Sequence, residues 1–153
     1  MGLPQKVSKF NRERAYKKRI TAVSNACISY LQDDYVKALS SLASYETERS
    51  FKKEENNNVN RLISFIGVLA AKKLEKRERY KTWLAKLTNL EKKDNYSYKV
   101  SVLLQAEDFI LESQENKAVS TLSEFLQKNQ NSFKGKCLFF KALEANNQWE
   151  KLL

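Results

Sequence analysis

Histidine is absent from this chain of 153 residues. That removes the commonest general base, the Ser-His and Cys-His nucleophile pairs and the usual zinc ligand. Glycine (3) and proline (1) are nearly as scarce, too few turn-formers for an all-β sandwich or barrel. Because Gly2, Gly67 and Gly135 stand singly, no glycine-rich phosphate loop exists. The two cysteines, Cys27 and Cys137, are far apart and sit among apolar residues, so free, buried, reduced thiols of an intracellular protein are expected. Carboxylate pairs such as Asp33/Asp34 and Glu54/Glu55 fall in loops and lack the spacing of a metal cage. These absences point away from an enzyme; no catalytic residue, metal or cofactor is assigned. No apolar run fits a membrane span either: Leu62 to Ala71 is about half of the 18 or more residues needed and reads as a buried core helix. Residues 5–19 are basic where a signal peptide would be apolar. A cytoplasmic location is expected.

What the chain has in excess is positive charge, +10 with a pI near 9.6. The excess is local. Residues 1–20 hold Lys6, Lys9, Arg12, Arg14, Lys17, Lys18 and Arg19 against Glu13 alone. Residues 72–81 hold Lys72, Lys73, Lys76, Arg77, Arg79 and Lys81 against Glu75 and Glu78. Elsewhere 15 basic side chains balance 15 acidic ones. Such asymmetry suits an acidic partner: a protein surface, RNA, DNA or an anionic membrane face. Asn11 to Arg19 also resembles a nuclear-import signal, which makes the nucleus an alternative location.

With 42% apolar and 30% charged residues, the chain reads as globular and helical. Helical spacing recurs throughout. Tyr16, Ile20, Val23, Cys27, Tyr30 and Leu31 form one stripe; after Gln32-Asp33-Asp34, Tyr35, Ala38, Leu39, Leu42 and Tyr45 form another. A polar stretch, Lys52 to Asn58, is the best loop. Val59 to Leu74 is apolar nearly all round its middle, and Trp83, Leu84, Leu87 and Leu90 stripe the next helix. Helices over Val100–Leu111 and from Ala118 follow, then a turn at Asn129–Ser132 and a helix from Phe133. About seven helices, and the first turns of an eighth, are joined by short loops, which makes neighbours antiparallel. The length suits one all-α domain over 1–153.

Residues 99–132 resemble a tetratricopeptide repeat (TPR). Ala106 and Ala118 take the two small positions at which paired helices cross, Phe109 the aromatic one, and Leu122 and Phe125 the apolar ones. Residues 19–52 are similar through Ala26, Asp34 to Leu39 and Leu42; residues 64–97 share Ala71 and Leu74 but carry Trp83 where alanine is usual. Residues 133–153 match only a partial last pair, and Phe140 is large for its small position. The early Trp and Leu-Gly and the terminal Pro of the pattern are missing, and an insertion near 53–63 breaks the period. The resemblance implies a TPR-like α-solenoid of helix hairpins; a compact helical bundle stays open beside it. Residues 1–18 are a basic N-terminal segment or the start of the first helix.

In a TPR-like array, the first helices of successive hairpins line a groove for a partner peptide or helix. The resemblance places Phe65, Val68, Lys72, Lys76, Leu103, Glu107 and Ile110 there, with Val100 beside them. Core packing is the competing account of Phe65, Val68 and Leu103. A basic patch of Lys9, Arg12, Lys17 and Arg19, projecting from the Tyr16-Ile20-Val23 stripe, and a second of Lys72, Lys73, Lys76, Arg77 and Arg79, would meet phosphates or carboxylates. The expected function is a non-enzymatic protein–protein adaptor or assembly factor. Alternatives are an RNA- or DNA-associated protein gripping backbone through residues 6–19 and 72–81, and a small effector or immunity-type inhibitor. Trp149, Leu152 and Leu153 would form an apolar C-terminal face for self-association or for a further repeat.

Overall fold

A computed structural model describes residues 3–48 and 57–147. Among them lie eight helices and no strand: α1 (Leu3–Leu31), α2 (Tyr35–Ser41), α3 (Ala43–Glu46), α4 (Asn57–Lys73), α5 (Arg77–Lys93), α6 (Val100–Leu111), α7 (Glu115–Lys128) and α8 (Phe133–Ala145). The fold class is all-α. The second stripe, Tyr35 to Tyr45, is two helices because the chain tightens at Leu42, whose N–H donates to the Leu39 carbonyl three residues back. The expected eighth helix, with Trp149, Leu152 and Leu153, lies outside the described residues, as does most of the loop over 52–58.

One turn recurs between the long helices. Each preceding helix ends on a residue in the left-handed region: Asp33 (φ 60°), Glu75 (φ 56°) and Ser113 (φ 56°). The next N–H reaches back to close the helix, from Asp34 to the Ser29 carbonyl (2.9 Å), Lys76 to Ala71 (3.0 Å) and Gln114 to Phe109 (2.7 Å). This is the Schellman arrangement, and it satisfies carbonyls that a helix end leaves orphaned. Its last residue is also the N-cap of the following helix, so the chain reverses within three residues. Of these three N-caps, Asp34 alone uses its side chain, accepting from the Lys37 N–H.

The length sets an expectation of one domain; the described residues cluster into two compact units divided between Asp94 and Asn95. The first unit packs α1, α2, α4 and α5, and α4 is its centre. Ile63, Val68, Ala70 and Ala71 on α4 have no accessible surface, nor do Ala26, Ala38, Leu39, Leu42, Trp83 and Leu87 from its neighbours. Gly67 fixes the α4–α5 crossing. A Cβ placed on it would lie 2.3 Å from the Trp83 ring, so only glycine lets the indole lie across the helix.

The second unit is a three-helix cluster of α6, α7 and α8. Ala106 and Ala118 are fully buried where α6 and α7 approach, and Leu103, Leu122, Phe125, Leu138 and Leu143 complete the core. Tyr98 stands edge-on to Phe125 (centroids 5.3 Å apart) and shares a 3.0 Å hydrogen bond with Ser132. Ser132 Oγ in turn accepts from the Gly135 N–H and caps α8.

Candidate interaction surface

From Gln5 to Lys18, every residue of α1 is exposed. The helix enters the first unit only from Arg19 onward, where Val23, Ala26 and Ser29 are buried. Its leading half therefore projects with Lys6, Lys9, Arg12, Arg14, Lys17 and Lys18 against the single acid Glu13. Phe10, 64% exposed, lies nine residues before Arg19, half a rotation round the helix at 100° per residue. It points away from the core.

Arg19, placed by the sequence among the projecting cations, is instead 6% exposed. Its guanidinium donates to Asn60 Oδ1 (3.0 Å), stands 4.6 Å over the Tyr45 ring and lies 3.6 Å from Glu48. A buried charge needs a partner, and a planar, delocalised and weakly hydrated guanidinium meets that need best. Tyr16 and Ile20, expected inside, are 45% and 36% exposed. The core stripe is thus turned by one position from the one read in the sequence, because Arg19 rather than Ile20 closes the seam between α1 and α4.

Other ion pairs stitch the same unit. Arg79 holds Glu46 with two parallel bonds of 2.8 and 2.6 Å, and the carboxylate raises the pKa of its guanidinium still further. Arg61 reaches the fully buried Glu91 at 2.6 Å. The Lys86 ammonium donates to the Glu48 carbonyl, and burial lowers its pKa. In the second patch, Arg79 is thus engaged within the unit, while Lys73, Lys76 and Arg77 are exposed and Lys72 is half-buried. The patches are anchored at opposite ends of α4, Arg19 at Asn60 and the second beyond Lys72, roughly 18 Å apart at 1.5 Å per residue.

The groove residues divide sharply. Val68 is inaccessible and Leu103 is 6% exposed, so both are core residues and leave the candidate groove. On each helix they sit on the side that meets a neighbour, and the spacing of apolar residues does not distinguish that side from a groove. Phe65, Lys72, Glu107 and Ile110 are half-buried and Lys76 is exposed. Glu107 receives the Lys134 ammonium at 3.7 Å.

Sequence reasoning missed the exposed side of α8. Phe133 is 81% and Phe140 49% exposed, with the thiol of Cys137 also exposed between them. Both cysteines are free, but only Cys27 is half-buried, and burial pushes its thiol upward. Among the described residues no three His, Cys, Asp or Glu side chains gather as metal ligands. No described helix is long and apolar enough to cross a membrane. Compared with family models, curated proteins and solved structures, the chain matches none of them.

Proposed function

We propose that this chain is a non-enzymatic protein-interaction module, an adaptor or assembly factor, that binds an acidic partner protein. The observation that carries the reading is the projecting half of α1: a stretch from Gln5 to Lys18 exposed on every side, with six cations and one acid. A helix with no tertiary cover and strong self-repulsion gains little from its own chain. An acidic surface laid along it would supply the missing contacts. On the first unit, the half-buried Phe65 and Lys72 with the exposed Lys76 give the partner a second foothold.

Three hairpins closed by the same left-handed turn, at Asp33, Glu75 and Ser113, support a TPR-like array. Asn147 has φ 53° and its N–H donates to Glu144, the start of a fourth such turn 34 residues after Ser113. The last interval equals the TPR period, whereas the two before it, from Asp33 to Glu75 and from Glu75 to Ser113, are longer at 42 and 38 residues.

The test is affinity capture from the native cell, with nuclease and ~0.5 M salt applied to half of the sample. A stoichiometric protein partner that survives nuclease, and is released by Lys9→Glu with Arg12→Glu, supports the reading. Partners lost to nuclease, with affinity for generic duplex DNA falling by about 0.9 log units per log unit of salt for each phosphate neutralised, would overturn it for the nucleic-acid alternative.

A further inference from the structure

The side of α1 turned away from the core carries a second pattern. Val7 and Phe10 near its start, and Ile28 and Leu31 near its end, are 51%, 64%, 56% and 82% exposed. Steps of three and four residues link them through Arg14, Lys17, Thr21 and Ser24, each also exposed. This is the two-in-seven seam of a coiled coil. The residues that α1 gives to its own core, Arg19, Val23 and Ala26, fall on the opposite side of the same register. The seam is apolar at both ends, cationic and then hydroxylic between, and nothing in the described chain covers it.

From this register we infer that α1 pairs with α1 of a second copy of the chain, antiparallel, about a two-fold axis level with residue 19. Reversed and overlaid, the seam matches itself. Val7 meets Leu31 of the other copy and Phe10 meets its Ile28, so both apolar ends are covered. Arg14 meets Ser24, and Lys17 meets Thr21. A parallel pairing would instead stack Arg14 on Arg14 and Lys17 on Lys17, which like charges oppose. Charge along the helix favours the same direction: residues 5–18 are cationic, whereas residues 20–34 contain no basic residue and end in Asp33 and Asp34. The antiparallel copy lays the cationic half of each helix along the acidic end of the other. A two-fold, self-complementary contact is also the commonest form of assembly. Lys9 and Arg12 lie outside the seam, so the dimer leaves them to the acidic partner.

The experiment is sedimentation of the purified full chain, nuclease-treated, from ~1 to ~200 µM at low and at ~0.5 M salt. The expected result is a concentration-dependent rise from 17.8 kDa to twice that mass, persisting at high salt. Phe10→Glu and Leu31→Glu, both at exposed positions and checked for unchanged helix content, should each weaken the dimer at least tenfold. In a Cys27→Ser, Cys137→Ser background, Phe10→Cys and Ile28→Cys chains, mixed and oxidised, should cross-link to each other. A monomer throughout the range overturns the inference, as does a dimer indifferent to both charged variants. Cross-linking of Phe10→Cys chains to themselves alone, the parallel outcome, overturns it equally.

Discussion

Single side chains decide the packing of the first unit, and Gly67 decides most. With a Cβ 2.3 Å from the Trp83 ring, Gly67→Ala forces α4 and α5 apart or swings the indole out of a fully buried site. Overpacking of this severity should cost about 2–4 kcal/mol, read as a lower denaturant midpoint at unchanged slope. Lys86 sets a pH dependence. Burial lowers its pKa below the usual 10.5, with Glu48 and Glu46 partly opposing. Between the folded and unfolded pKa values the unfolded chain binds more protons, so stability rises with pH up to about that limit. Cys27 acts the other way: its raised pKa gives stability that is complete below 9.0 and is lost as pH climbs through the folded value. Thermal melts between pH 7 and 10 should therefore show a rising component in the native chain that Lys86→Gln removes and Cys27→Ser does not.

Whole helices were more readable than the side chains they bury. The bounds of α6, the turn at Asn129–Ser132 and the Asp34 cap follow from periodicity and capping chemistry in the sequence. The crossing alanines Ala106 and Ala118 are inaccessible, as a close approach requires. The failures share one cause. A helical stripe tells which residues lie together, not whether a neighbouring helix covers them. For Val68 and Leu103 the sequence leaves groove and core both open, and they are core; Cys137 reads as buried and is exposed. The helix ends hold a further test. Glu75 and Ser113 adopt left-handed φ without being glycine, at roughly 1–2 kcal/mol for each β-carbon. Glycine relieves that strain but loses more backbone entropy on folding. Glu75→Gly should therefore stabilise the chain by up to ~1 kcal/mol, whereas Asp33→Gly should gain less, since its carboxylate accepts a 2.7 Å bond from Tyr35 that would be lost. Chemical denaturation of the two variants compares them directly.

At the scale of the whole molecule, charge and packing divide at the same point. Residues 1–94 contain 21 basic and 11 acidic side chains, and residues 95–153 contain seven of each. The first unit thus carries the full +10 and the second none. Each unit has its own buried core, α4 with Trp83 in one and Leu122 with Phe125 in the other. If the acidic partner is held by charge, residues 1–94 alone should bind it nearly as well as the full chain, and with the same salt dependence. Residues 95–153, neutral as a unit, should bind at least tenfold more weakly. Circular dichroism establishes that both fragments are helical, and titration of the partner at two salt concentrations reads the outcome. Binding retained by residues 95–153 and lost from residues 1–94 would move the contact to the exposed Phe133–Phe140 face of α8 and make it apolar. Leu122→Ala, which should destabilise the second core by about 2–5 kcal/mol, should then lower binding by the full chain; under the charge-led reading it leaves that binding unchanged.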